Sequence, residues 1–330
     1  MELVSNQEPL TERILRVLPG PRWAWILIWS TVPFAAVVLP NSYIALVGRE
    51  SLGIRLLTGA AFAYVTLLAL WGVGKFTRHT AEAEVSLTGI EEDDGDPHGQ
   101  IFRGLGSTIG PLAFASVFVV LTVIQTTDLT DIETALLWAP ISVVTNIASA
   151  TGVWVYVEIL LGLNRLGRLK LSLDRFPQDP SLGLSQVGHV AVGAFWVYIA
   201  AWAISMLPGR SGSTRLVLSL AVFVFGVLVF FASLWRLHRK LVKERDKQIE
   251  WARALYARAY EPVRSGSLTA LKEQAEVLSA AEGIEEQAEK IQRWPFSDTR
   301  FRQMLALAGT VTTFVTTGVI TRFVTDRLPL

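Results

Sequence analysis

The chain has 330 residues, 51% of them hydrophobic and only 18% charged, where a soluble domain carries about 25% charged residues. Its net charge of +1 says nothing about partners, because the charges are segregated along the chain, and no nucleic-acid partner is expected; the absence of cysteine excludes disulfides, thiol catalysis and thiolate metal sites. With four histidines no ordinary zinc site is expected either, and no cofactor is implied.

Crossing roughly 30 Å of hydrocarbon as a helix takes about 20 apolar residues. Residues 1–22 mix acids with arginines and show no small-residue cleavage pattern, so they read as a cytoplasmic arm before a retained first span. Apolar runs then follow at 23–40, 54–74, 110–126, 135–163, 187–207, 216–235 and 304–324. The first is short, and the stretch after Pro40 either prolongs it or lies on the surface. The fourth is long enough to tilt or to begin in the interface at Trp138 and Pro140. The expected fold is therefore all-α: a polytopic bundle of seven transmembrane spans, six within 23–235 and the last within 303–330 before a short outer tail. An acidic loop at 75–109 and a helical hairpin at 236–302 are expected in the cytoplasm.

Lysine and arginine positions orient the bundle. With the amino end inside, 24 of the 30 basic residues fall on the cytoplasmic side. Leaving out 236–302, which is too long to count fully, the split is still 10 against 6. Trp23, Trp25, Trp138 and Trp235 fall near predicted borders, where interfacial indoles belong. The expectation is a multi-pass protein of the cell membrane with its amino end in the cytoplasm and its carboxyl end outside.

From Leu216 to Tyr260 there is no proline, which predicts one helix running out of the membrane for several turns. Arg236, Arg239, Lys240 and Lys243 crowd its exit, either as a solvated face or as contacts to anionic lipid headgroups. Pro262 and the Ser265-Gly266-Ser267 stretch break it. A second helix begins near Leu268 with an apolar seam of Leu271, Ala275 and Leu278, which resumes out of phase beyond Gly283 at Ile284, Ala288 and Ile291. Trp294-Pro295-Phe296 closes the domain, its aromatics suited to a return to the membrane surface, and Ser297 or Asp298 can cap the final helix.

A span leading into Leu237-His238-Arg239-Lys240-Leu241, then a second helix, Trp294-Pro295-Phe296 and a last span resembles a widespread prokaryotic multi-span membrane family. The resemblance covers about the last 100 residues, with a weaker echo at 169–184. It implies a shared architecture and carries over no activity or site residue.

Three groups of residues are candidates for function. Thr310, Thr313, Thr317 and Thr321 share one face of the last span, a hydroxyl stripe about 16 Å long at 1.5 Å per residue, with Arg322 at its outer end. Such a stripe is either helix-helix glue or the lining of a pore, and one helix encloses no pore without further subunits. Glu158 in the fourth span and His189 at the start of the fifth lie at similar depth, as a relay or cation site requires, although Glu158 can instead pair with Arg165 seven residues on. Asn146, on one face with Ser149, suits a packing hydrogen bond. The acidic cluster at 91–98 is rich in oxygen but lacks the spacing and closing glutamate of a helix-loop-helix calcium site, so it reads as a solvated loop. Residues 168–176 alternate with period two, as an interfacial segment or short strand would.

No polar cluster resembles a catalytic site, so an enzyme is not expected. The reading carried forward is a homo-oligomeric channel for small ions with the last span lining the conduit, a plan that also resembles insect odorant and gustatory receptor channels in outline alone. The alternative is a membrane-anchored scaffold or sensor that recruits a partner through its cytoplasmic hairpin.

Overall fold

The structure is a computed structural model that describes residues 8–38, 52–87, 101–126, 132–169, 171, 180–205, 213–264 and 268–327. Among these the regular elements are all helical: α1 (Leu10–Val17), α2 (Arg22–Val38), α3 (Leu52–Leu87), α4 (Ile109–Thr126), α5 (Ile132–Leu166), α6 (Ser185–Ser205), α7 (Ser213–Arg264), α8 (Leu268–Lys290) and α9 (Asp298–Arg327). The acidic cluster at 91–98 and most of 168–176 lie outside the described residues.

Four helical stretches are long and apolar enough to cross a bilayer: Gly59–Leu87, Thr145–Leu166, Ser185–Ala203 and Leu220–Glu261. A shorter apolar stretch occupies Ile109–Val120. This is the build of a helical membrane protein. Large apolar side chains such as Phe62, Val120, Phe225 and Leu228 point outward from the helices, an arrangement that water penalises and hydrocarbon does not.

In the bundle α3 packs on both α5 and α6, α2 lies along α3, and α4 lies along α5. α7 leans on α5, and α9 packs on α7. The core is concentrated towards one end of the bundle. There the last turns of α3 and α5, the first turns of α6 and the middle of α7 bring together Phe76, Leu87, Ile159, Leu163, Val187, Phe195, Phe230 and Leu237. Connecting residues join the same core: Ile101, Phe102 and Leu105 between α3 and α4, Leu182 and Leu184 before α6, Trp294 and Phe296 before α9.

The proline-free sequence does run as one helix, and α7 spans 52 residues before ending two residues after Pro262. α8 folds back along it, joined by an ion pair of Arg253 with Glu285 at 2.9 Å. Of the expected seam Ala288 and Ile291 are buried and Ala275 is exposed, while the Leu271 side chain lies outside the described residues. Ala281 is buried as well, seven residues before Ala288, and α7 buries Ala252 and Ala259 at the same spacing, so small side chains contribute to the packing of these two helices. On the outer face Lys290 hydrogen-bonds Glu286 at 2.7 Å and holds its carboxyl below the usual carboxylate range.

Trp294 and Phe296 correct a second expectation, because both are buried in protein rather than laid on the membrane surface. Trp294 stacks on His238 of α7 with ring centroids 4.3 Å apart and on Phe301 of α9 at 5.0 Å. His238 Nδ1 lies 2.7 Å from the Arg293 carbonyl, within donating distance. The Trp-Pro-aromatic turn is thus the joint at which the hairpin, α6 and α9 meet.

Candidate functional site

Glu158 lies on α5 two turns before its end and is 1% exposed. A carboxylate so placed requires partners. One of its oxygens accepts from the Gly104 N–H at 2.9 Å and from Arg165 Nη1 at 2.5 Å. The same Arg165 nitrogen donates to the Ile101 carbonyl at 2.8 Å, and Trp154 donates its indole N–H to the Gly104 carbonyl at 2.8 Å. From α3, Glu84 accepts the Phe102 N–H at 3.0 Å. Residues 101–104 are therefore held by three α5 side chains and one from α3. Glycine is required at 104, where a Cβ would strike the Glu158 carboxylate, and at 162, where it would strike the Phe102 ring.

A helix the sequence reading passed over completes this end of the molecule. α1 lies within the amino-terminal arm and buries Thr11 and Leu15. Its Arg13 donates to the Gly106 carbonyl and to Thr108 Oγ1, while Glu12 accepts two bonds from Arg22, at 2.6 and 2.9 Å. Gly74 of α3 leaves the space that the Arg22 guanidinium occupies. Leu10, Ile14, Leu15 and Leu18 alternating with Glu12, Arg13 and Arg16 was the available signal, an amphipathic pattern only two turns long.

The seven-residue spacing does bring Glu158 and Arg165 together. It does not bring His189 to Glu158: the carboxylate faces Gly104 and Arg165, while His189 lines a separate cavity of about 250 Å³ with Arg300, Ser297 and Gln292. Towards the opposite half of α5, the Asn146 amide nitrogen and the Thr145 hydroxyl are buried with no hydrogen-bond partner among the described residues.

On α9, Thr310, Thr313 and Thr317 are exposed, while Met304 and Ala308 on the other side are buried. Thr310 donates its hydroxyl to the Ala306 carbonyl at 2.9 Å, and Thr313 to that of Gly309 at 2.9 Å. Each proton is thus spent within the helix, and the oxygen lone pairs remain for whatever lies outside. Thr321 and Arg322 belong to the same helix; their side chains lie outside the described residues.

At the exit of α7 the basic residues divide. Arg236 and Lys243 are exposed, and the Arg239 guanidinium lies 5.6 Å from the centre of the exposed Trp235 ring, an indole–cation pairing suited to a membrane border. Lys240 turns inward instead and donates to the Leu169 carbonyl after α5. Trp71 and Lys75 of α3 repeat the Trp235–Arg239 pairing at 4.8 Å.

Among the described residues no cluster of three or more His, Cys, Asp or Glu side chains offers a metal site. No family model, curated protein or solved structure matches the chain, so the reading of function rests on this geometry alone.

Proposed function

We propose that the chain is a seven-span protein of the cell membrane, amino end inside, which assembles as a homo-oligomeric channel for small ions with α9 at the conduit. The observation that carries this reading is the outward face of α9. A helix of the bundle's periphery exposes Thr310, Thr313 and Thr317 on one stripe, away from Met304 and Ala308, which are packed. Facing lipid, these hydroxyls gain nothing beyond the bonds they already make to their own carbonyls. Facing water across a symmetry axis, their lone pairs meet hydrated ions.

The orientation is supported by the distribution of lysine and arginine, and the hairpin of α7 and α8 then lies in the cytoplasm beside the basic exit. In that arrangement Arg236, Arg239 and Lys243 reach anionic lipid headgroups. The test is ion flux into proteoliposomes. The chain is expected to conduct, and Thr317→Leu, which replaces a hydroxyl by a bulkier apolar group, is expected to lower flux at least tenfold without changing oligomeric state. A protein that is strictly monomeric in lipid discs removes the geometric basis of the channel.

A second reading, a membrane-anchored scaffold, is favoured by the hairpin itself. Tyr256 and Tyr260 are exposed on one face of α7 and stack with ring centroids 5.8 Å apart, an aromatic pair suited to a protein partner. Loss of flux with an intact oligomer would move the weight to this reading.

A further inference from the structure

The cavity that receives His189 lies where α6 and α9 both begin. Its polar lining residues are Arg300, His189, Ser181, Ser185, Ser297 and Gln292. Among the described residues no aspartate or glutamate lines it, and Asp298, next to Ser297 in sequence, is not one of its walls. An arginine fork beside serines and an imidazole is donor chemistry matched to a tetrahedral oxyanion.

The frame around it is fixed. The Gln292 N–H donates to the Pro180 carbonyl at 2.8 Å, and the Pro295 carbonyl sits against Gly188, where no Cβ is present to hold it off. Walls held in place before binding lose less freedom on binding. Ser297 also caps α9, its hydroxyl accepting the Arg300 N–H at 3.4 Å. Depth points the same way, since the apolar stretch of α6 starts at Ser185 and so places the cavity at the border between hydrocarbon and water.

We propose that this cavity between the starts of α6 and α9 binds a phosphate group, carried by an anionic phospholipid headgroup or by a phosphate ester in solution. Arg300 and His189 hold the charged oxygens, and the Ser185 and Ser297 hydroxyls take the remaining ones. The bound group ties α6 to α9 beside the Trp-Pro-aromatic joint and so fixes where the last helix starts. This assignment does not depend on whether the protein conducts.

The full chain in discs of phosphatidylcholine alone supplies the test, with its melting temperature followed as inorganic phosphate is added, and again in discs that include phosphatidylglycerol. A rise with inorganic phosphate, in either lipid, supports a phosphate site open to solution; a rise only with phosphatidylglycerol supports a headgroup site. In Arg300→Gln the affinity is expected to fall about tenfold or more, the loss of a charged hydrogen-bond donor. Arg300→Lys, which keeps the charge and loses the fork, is expected to retain part of it. Arg302→Gln, an exposed arginine of the same helix outside the cavity, is expected to bind as the parent does. No rise with either additive overturns the proposal, and so does equal loss in the Arg300→Gln and Arg302→Gln variants. Should Arg300→Gln melt too low to titrate, His189→Gln takes its place with the same expectation.

Discussion

Glu158 shows how a single side chain sets the path of a connection. Its partners are a residue seven positions on and a backbone N–H fifty-four positions earlier. Helical periodicity makes the first legible, because residues seven apart share a face; nothing local announces the second. Removing one member of a buried ion pair costs about 3–5 kcal/mol. Arg165 keeps 32% of its side chain exposed, so water compensates in part and the lower end applies. Glu158→Ala is therefore expected to cost about 3 kcal/mol. Glu158→Gln, which still accepts the Gly104 N–H, is expected to cost clearly less. Thermal or denaturant unfolding of the purified variants checks both, and equal losses would show that the charge rather than the backbone bond matters. Gly188 is a second such position. Its contact with the Pro295 carbonyl leaves no room for a methyl group, and Gly188→Ala is expected to destabilise by about 1–3 kcal/mol, read from the same melts. The sequence offered no sign of it, since the two residues are over a hundred positions apart.

Element by element, legibility followed the strength of the periodic signal. The long apolar runs and the absence of proline from 216 to 260 led directly to helices, and the stop at the Ser265-Gly266-Ser267 stretch was equally plain. The face of α8 is legible in part: Ala288 and Ile291 are buried as expected, while Ala281 carries a weaker signal because leucine outranks alanine as an apolar marker, yet helices in close contact prefer small residues where their backbones approach. Ala281 and Ala288 hold the seam, and Gly283 breaks nothing: a Cβ built there meets no atom within 4 Å. Gly283→Ala is accordingly expected to stabilise the hairpin by about 0.5–1 kcal/mol, through the entropy a glycine loses in a helix interior. A lower melting temperature in that variant would mean that the glycine has a role at this position beyond the helix. Trp294 and Phe296 were misplaced for a related reason. Aromatics beside a membrane border read as interfacial, and only the packing of His238, Phe231 and Phe301 around Trp294 reveals a buried joint.

At the scale of the whole molecule, the buried joints gather at one end of the bundle. The 101–105 segment, the turn before α6 and the Trp-Pro-aromatic turn all meet the core there. The amino-terminal helix, whose Leu15 packs in a separate cluster with Ile26, Leu70 and Ala148, is tied to the chain just after the first of these through Arg13 and Gly106. Candidate polar residues were legible as residue types, but the pairing of His189 with Arg300 in one cavity depended on tertiary structure. The channel reading rests on which way the threonine stripe of α9 faces in the assembled protein. The chain has no native cysteine, so single cysteines placed in turn from Thr310 to Thr321 and exposed to a membrane-impermeant thiol reagent read that directly. Labelling that peaks at 310, 313, 317 and 321 and falls between them is the predicted result; uniform protection along the helix would contradict it.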